Sequence, residues 1–314
     1  YLAGEWRDDR RHLSPRSFSR PGARGMIDAH FHIWRQADLP WLMGPMQPRI
    51  FGPYEPIRRD YPISEYLADA GSAGMTGAVY VQANWPVDRF VEEAAFVAEA
   101  SDSSGFPIAI VAYADMLTED VRPQLDALAR NGRVRGVRMQ LHWHENPLYR
   151  FASAPDLALN TALQRNVARL VDYGWSFDLQ VFAGQMAGAA ELAEACPGVT
   201  FVLQHAGMLE ELSPEGITAW RAGMAVLADK PNVVSKLSGL GTFLRRNDPA
   251  HVAMVAGETL ALFGAERCLF GSNFPIEKLW TSYSDLFEAH RAAVPAQHRA
   301  DVFSATAKRV YRLA

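Results

Sequence analysis

The sequence predicts an α/β protein, a (β/α)8 TIM barrel of parallel strands with a long first βα loop. Short β-rich runs alternate with helical patterns along the chain, and eight such runs occur. Strict alternation favours parallel strands joined by crossover helices, and eight units favour a closed barrel. An open, doubly wound sheet is the alternative, but no Gly-rich phosphate loop follows the first run to support it.

The elements follow one another at regular intervals. The first predicted strand lies within residues 27–34, and the later strands are predicted at 77–83, 107–112, 134–141, 175–182, 199–205, 232–237 and 267–274. Apolar residues at helical spacing predict helices near 64–73, 88–104, 118–131, 160–173, 184–196, 215–229, 250–264, 284–294 and 299–312.

A long connection over about residues 35–62 separates the first strand from the first helix. It contains six prolines together with Trp41, Phe51 and Tyr54. Loops of this length are usually functional or disordered, and the apolar content argues against disorder. We expect a lid or a pocket wall, and the alternative is a surface loop that packs on its own side chains.

Composition limits the partners of the protein. Hydrophobic residues make up 49% of the 314 residues and charged residues 21%, as in globular proteins with an ample core. The formal net charge of −4 gives no electrostatic reason to expect nucleic acid, and no apolar run of ~18 residues suggests a membrane span. The predicted partner is a small-molecule substrate. The two cysteines, Cys196 and Cys268, suit a reducing cytoplasm.

The chain is divided into two parts by charge. Residues 1–24 form a basic N-terminal arm, and residues 25–314 form a single barrel domain. Packing of the arm on a neighbouring subunit would produce a homo-oligomer.

Two histidines dominate the first strand. His30 and His32 are spaced i, i+2, so strand alternation places them on one face together with Asp28. Two neighbouring imidazoles can bind a metal, polarise a carbonyl group or transfer a proton. The alternative is a pair of core or surface histidines without a chemical role.

Polar residues gather at the ends of the predicted strands, where the active site of a parallel barrel lies. Five of the nine histidines lie there, which predicts a site. The candidates include His30, His32, Gln82, Arg138, Gln140, His142, Asp178, Gln180, His205, Lys236 and Asn273. Lys236 is expected either to pair with Asp178 or Asp28 or to bind a substrate anion, since a buried lysine needs a partner. His290 and the histidines of the tail and other helices are expected on the surface.

Five motifs in order resemble the amidohydrolase-2 family of the amidohydrolase superfamily, the branch of sugar-lactone and 2-pyrone-4,6-dicarboxylate lactonases. They are Asp-Ala-His-Phe-His-Ile-Trp at 28–34, Gly-Val-Arg at 136–138, Gln-His-Ala-Gly at 204–207, Lys-Leu-Ser-Gly-Leu at 236–240 and Phe-Gly-Ser-Asn-Phe-Pro at 270–275. The resemblance extends from about residue 26 to the C-terminus. It implies a distorted (β/α)8 barrel that hydrolyses a lactone or ester-like bond, while related branches decarboxylate aromatic acids.

The resemblance implies roles for single residues. His30 and His32 match the first-strand pair, His205 matches the sixth-strand histidine, and Asn273 stands where the superfamily usually has an aspartate that activates water. Gln180 stands where metal-dependent members have a ligand histidine. His30 and His32 would therefore bind one zinc or manganese ion, or the enzyme is metal-independent and the histidines polarise the carbonyl.

An asparagine cannot take a proton from water at neutral pH, so another group must be the base. His142, His205 and Glu277 are the candidates, with Asn273 positioning the water or donating to the oxyanion. Substrate binding is expected from Arg138, Lys236, Gln82, Trp41, Tyr54, Arg49 and Trp85, because aromatic and cationic groups suit a cyclic or aromatic carboxylated substrate. A metal-dependent decarboxylase and a non-catalytic barrel subunit are the alternative functions.

Overall fold

A computed structural model describes residues 25–313 and confirms the predicted barrel. The predicted arm at 1–24, with its role in a homo-oligomer, lies outside the described residues. Within the described part of the chain, no helix is long and apolar enough to cross a membrane.

Eight parallel strands pair in sequence order around the barrel. They are β1 (Met26–Phe31), β2 (Met75–Val81), β3 (Ile108–Ala112), β4 (Val134–Val137), β5 (Ser176–Leu179), β6 (Phe201–Leu203), β7 (Val233–Leu237) and β8 (Cys268–Phe270). The chain just beyond β8 returns to β1 through a parallel bridge between Phe31 and Phe274. This bridge closes the barrel.

The helices follow the predicted alternation. They are α1 (Pro40–Met43), α2 (Ile63–Ala70), α3 (Phe90–Ser104), α4 (Arg122–Ala129), α5 (Thr161–Ala168), α6 (Met186–Ala195), α7 (Pro214–Ala228), α8 (Pro249–Phe263), α9 (Tyr283–Ala293) and α10 (Thr306–Tyr311). Several strands are shorter than predicted. The fourth ends at Val137 instead of residue 141, because the chain leaves the ladder after Arg138 donates to the Ala112 carbonyl (2.8 Å).

The apolar core has two layers. The larger lies between the strands and the helices, and the smaller fills the barrel itself with short β-branched and small side chains such as Val79, Val111 and Val202. Ala307 and Tyr311 of α10 belong to the inner cluster, so the C-terminal helix plugs one end of the barrel. The other end, where the strands finish, is left for polar groups.

A buried ion pair lies inside the barrel. The Lys236 ammonium of β7 donates to Asp178 Oδ2 of β5 at 2.6 Å, and both side chains are fully buried. The Tyr311 hydroxyl also donates to this carboxylate (3.1 Å), and its ring lies 5.2 Å from the ammonium. Of the two expectations for Lys236, the structure supports the ion pair with Asp178.

We expect Lys236→Met to lower the free energy of unfolding by about 3–5 kcal/mol, because Asp178 would be left as a buried charge without its partner. Urea denaturation measures the change. The matched control is Arg291→Ala, which breaks the half-exposed Arg291–Glu288 pair and should cost less than about 1 kcal/mol. Equal losses in the two variants would contradict the assigned weight of the buried pair.

Candidate active site

A pocket opens at the carboxyl ends of the strands, where the active site of a parallel barrel lies. It brings together most of the residues that the sequence singled out, namely His30, His32, Trp41, Arg49, Gln82, Arg138, Gln140, Gln180, His205 and Asn273.

A β-bulge in β1 determines which side chains of the first strand face this pocket. Asp28 pairs with Ala78 but Phe31 pairs with Tyr80, so the first strand has one residue more than the second over this stretch. Asp28 therefore does not share a face with His30, and the prediction of a common face is wrong. The carboxylate of Asp28 instead accepts from the hydroxyls of Tyr66 (3.0 Å) and Tyr283 (2.9 Å) on the helices.

Three histidine rings lie together on the floor of the pocket. The His30 ring centroid is 5.1 Å from that of His32 and 4.8 Å from that of His205. His32 Nδ1 lies 2.7 Å from the Val81 carbonyl, and His205 Nδ1 lies 2.9 Å from Ser238 Oγ. Both ring nitrogens of His30 are buried and without a partner among residues 25–313.

All three imidazoles are neutral at physiological pH. Burial lowers the pKa of His30 and of His205 well below the usual value, and it lowers the pKa of His32 to about 3. The nearby charges of Arg138 and Lys236 act in the same direction. Neutral rings can each donate through one nitrogen and accept through the other.

The hydrogen bonds indicate which nitrogen carries the proton in His32. Its Nδ1 faces a carbonyl oxygen, which can only accept, so Nδ1 is the protonated nitrogen and Nε2 keeps its lone pair. For His205 the Ser238 hydroxyl can donate or accept, so either tautomer is compatible with this contact.

The backbone at the site adopts conformations that ordinary residues rarely take. His205 (φ 55°), Met208 (φ 50°) and Asn273 (φ 56°) all lie in the left-handed region. Such conformations cost free energy and persist where the surroundings fix them, often at functional sites. Here the backbone N–H of Asn273 donates to the His30 carbonyl at 2.7 Å, which joins the chain just after β8 to β1.

Arg138 supplies the positive charge on the floor of the pocket. Its guanidinium donates to Gln204 Oε1 (2.9 Å), to Gln180 Oε1 (3.3 Å) and to the Gln82 carbonyl. Burial lowers its pKa to about 10, so it remains charged at neutral pH. Its Nε is buried and unpartnered within the described chain. Gln180, predicted in a ligand position, thus holds this guanidinium.

Several of the predicted site residues do not line the pocket, Glu277 among them. Lys236 and Asp178 pair with each other below it. Tyr54 is fully buried behind the wall, where its hydroxyl donates to the Trp41 carbonyl (3.3 Å). Trp85 packs against Phe96 instead.

His142 does not line the pocket either. Beyond the end of β4 the strand alternation no longer holds, and the His142 ring stacks on Phe151 with centroids 5.4 Å apart. We therefore do not assign it the role of base that the sequence suggested. His290, expected on the surface, is also buried, with its ring 5.1 Å from that of Phe270.

The long segment 35–62 forms a wall of the pocket. Trp41, Arg49 and Phe51 from this segment line it, and the Arg49 guanidinium lies 5.7 Å from the centroid of the Trp41 ring. Asn84, a polar residue just after the second strand, also lines the pocket, as its position at a strand end predicts. Sequence reasoning missed several further lining residues, namely Ile50, Met208, Gly239, Thr242, Phe243 and Ile276. The apolar ones carry no chemical signal, and only their position just after a strand would have identified them.

The donors around the pocket do not form a complete metal site. Among residues 25–313, no group of three or more histidine, cysteine, aspartate or glutamate side chains is arranged to hold a metal ion. His30, His32 and His205 each offer a ring nitrogen, but the three are not arranged to hold one ion. Gln180 and Asn273 offer only neutral amides, and Arg138 adds a repelling charge. The residues present therefore do not fit the predicted zinc or manganese ion.

Comparison with known proteins decides the family. The model of the family Amidohydro_2, described as Amidohydrolase, matches residues 27–313. The chain belongs to the amidohydrolase family. This confirms the expected resemblance.

Relatives of this amidohydrolase cover nearly the whole chain. The uncharacterized protein y4mH of Sinorhizobium fredii is 32% identical over 92% of this chain and 98% of its own length. An L-fucono-1,5-lactonase of Burkholderia multivorans is 30% identical over 91% of this chain and 96% of its own. The lactonase-named relative supports a hydrolase. An amidohydrolase structure from Burkholderia multivorans with bound zinc is 26% identical, with a TM-score of 0.76 over 92% of this chain and 100% of that one.

Gly239→Ala should destabilise the protein by about 1–3 kcal/mol through overpacking. A Cβ there would lie 2.6 Å from His205 Nδ1, and the backbone φ of 61° disfavours alanine. The control is Gly257→Ala, which lies exposed within α8 with open space around it and should stabilise by about 0.5–1 kcal/mol. Thermal unfolding of both variants measures the shifts, and a stable Gly239→Ala protein would show that His205 is not confined as described.

Proposed function

We propose that this amidohydrolase opens a lactone or ester-like bond of a small cyclic, carboxylated or aromatic substrate, by attack of water on a carbonyl polarised by histidine. The observation that carries this proposal is the group of three neutral imidazoles beside Asn273 on the pocket floor. The lactonase names of two relatives agree with it.

His205 is the proposed base. No aspartate or glutamate lines the pocket among the described residues, so a ring nitrogen must accept the proton of water. If Nδ1 of His205 donates to Ser238 Oγ, Nε2 keeps the lone pair that water requires. The serine then orients the base.

The carbonyl oxygen of the substrate is placed between two donors. His30 has ring nitrogens without protein partners and supplies one N–H, while the Asn273 amide supplies another. His32 cannot take this part when neutral, because its proton is held by the Val81 carbonyl. Asn273 stands where the resemblance implies an aspartate base, but here its side chain would stabilise the developing oxyanion.

The substrate's charged group would lie near the arginines. Arg138 on the floor and Arg49 in the wall are the cationic residues among the described lining side chains, and Trp41 offers an aromatic face. Guanidinium groups bind carboxylates through paired hydrogen bonds. Gln82 lies on the same side and would contribute a polar contact.

The two cysteines agree with the proposal that the enzyme works in the cytoplasm. Cys196 and Cys268 are both buried free thiols. Burial raises the pKa of Cys196 to about 11 and that of Cys268 to about 12, so neither is a reactive thiolate.

His205→Ala and Asn273→Ala should each lower kcat on a cyclic lactone by about 10²- to 10³-fold, because they remove the base and an oxyanion donor. Both variants should fold normally by circular dichroism. His298→Ala, on a surface turn far along the chain, is the control with unchanged turnover. Full activity of His205→Ala would refute the assigned base.

Treatment with a chelator should leave lactone hydrolysis unchanged, because the described donors do not complete a metal site. Elemental analysis of the purified protein and assays on a lactone panel, with and without added zinc, measure this. Stoichiometric metal together with release of carbon dioxide from an aromatic acid would favour the decarboxylase alternative. Inactivity under every condition would favour a non-catalytic barrel.

A further inference from the structure

A buried carboxyl group links α3 to the end of β2. Glu93 of α3 is 3% exposed and does not line the pocket. Its Oε1 accepts from the Ala83 backbone N–H at 2.6 Å and from the Tyr80 hydroxyl at 2.7 Å. Tyr80 belongs to β2, and Ala83 follows that strand by two residues. Glu93 therefore holds the chain just where it leaves the barrel to line the pocket.

The peptide group between Gln82 and Ala83 lies between this carboxyl group and a guanidinium. Its N–H donates to Glu93 Oε1, and its carbonyl oxygen accepts from Arg138 Nη2 at 2.5 Å. The N–H and C=O of a trans peptide point in opposite directions, so one orientation of the peptide dipole satisfies both neighbours. Glu93 and Arg138 thus select the same orientation of a single peptide group from its two sides.

This peptide group helps to fix the guanidinium of Arg138. The Gln82 carbonyl holds Nη2, and the side-chain oxygens of Gln204 and Gln180 hold Nη1. Nε is buried and unpartnered among residues 25–313. Because the guanidinium is planar and rigid, the bonds at its two Nη atoms determine the direction of the Nε–H. The N–H that remains for a ligand is therefore aimed in part by the peptide that Glu93 holds.

The following carbonyl connects the same short turn to the wall of the pocket. The Ala83 carbonyl accepts from the Trp41 indole N–H at 2.9 Å. Asn84 lies in the left-handed region (φ 61°), and its backbone N–H donates to Gln82 Oε1 at 2.8 Å. Gln82, Ala83 and Asn84 all line the pocket. A displacement of this turn would move a floor contact and a wall contact together.

We propose that Glu93 is a positioning residue for substrate binding, which holds the Gln82–Ala83 peptide so that Arg138 directs its remaining N–H to a substrate carboxylate and Trp41 keeps its place in the wall. The proposal rests on the proposed function for the carboxylate that Arg138 binds. Glu93 takes no part in proton transfer here, since it does not line the pocket and acts on the ligand only through these contacts.

The role requires an accepting oxygen rather than a charge. Both donors end on Oε1, and an oxygen of a carboxylate, of a carboxylic acid or of an amide can accept them. Burial raises the pKa of Glu93 to about 7, although its bonds with Ala83 and Tyr80 act in the opposite direction. Oε1 can accept in both protonation states that exist at neutral pH.

The first test compares Glu93→Gln with Glu93→Met on a lactone that carries a carboxylate. The glutamine oxygen can replace Oε1, so KM should stay within about twofold of the wild type. Methionine has a similar length but lacks that acceptor, so KM should rise about tenfold. The kcat should change by less than about threefold, because His30, His205 and Asn273 belong to other strands. Equal KM in the glutamine and methionine variants would overturn the proposal.

Two further variants separate this role from general stability. Glu93→Asp keeps the carboxyl group but withdraws it by one methylene, so it should raise KM as methionine does, with a milder effect on folding. The matched control is Asn166→Leu, which removes a buried helix side chain that donates to the Met116 and Thr118 carbonyls outside the pocket. It should lower the midpoint of thermal unfolding and leave KM unchanged. A KM in Glu93→Asp equal to that of Glu93→Gln would contradict the positioning role.

The second test does not depend on the substrate. Hydrogen exchange, followed by mass spectrometry, should be about tenfold faster in Glu93→Met than in the wild type for peptides that cover residues 82–84 and 39–44, with β3 unchanged. Glu93→Gln should match the wild type. Wild-type exchange at 82–84 in Glu93→Met would refute the proposal. The predicted exchange pattern in an enzyme that hydrolyses no lactone would overturn the proposed function and leave the positioning by Glu93 supported.

Discussion

The site depends on the junction between the first strand and the chain that follows the eighth. The backbone N–H of Asn273 donates to the His30 carbonyl, and the backbone N–H of His32 donates to the Phe274 carbonyl at 2.8 Å. These two bonds close the barrel and fix the backbone of both histidines and of Asn273 together. Close contact is possible because residue 271 is glycine, since a Cβ there would lie 2.5 Å from His30 Cβ. The same backbone hydrogen bonds therefore close the barrel and position the pocket residues.

A second constraint is the positive charge within the barrel. Arg138 and Lys236 both lower the pKa of the neighbouring histidines, and Asp178 beneath them balances part of the charge. Gln204 joins the two halves, since it accepts from Arg138 and donates to Asp178 at 2.8 Å. An anionic substrate at Arg138 would offset some of that charge and make the imidazoles more basic.

Sequence periodicity was sufficient to predict the barrel and the end of it at which the candidate pocket opens. Alternating strands and helices predicted the topology, and the rule that sites lie at strand ends brought His30, His32, His205 and Asn273 together. The errors have local causes. His142 was placed by extending β4 past Val137, and Asp28 by ignoring a bulge that no residue pattern shows.

Other features of the pocket depend on distant contacts. Tyr54 and Trp85 were chosen because aromatic rings suit a pocket, but ring type does not tell which way a side chain faces. Phe243 and Met208 belong to loops whose path is set by packing between elements far apart in sequence. The raised pKa of Glu277 likewise follows from burial, which a single sequence does not report.

The wall of the pocket is attached differently from its floor. Segment 35–62 leaves and rejoins the barrel at one antiparallel bridge between Trp34 and Tyr61, and it contains none of the barrel strands that carry the histidines. Substitutions or length changes within this segment can alter which molecules enter without moving the histidines. The residues that would select a ligand and those that would act on it thus belong to parts of the chain that can change independently.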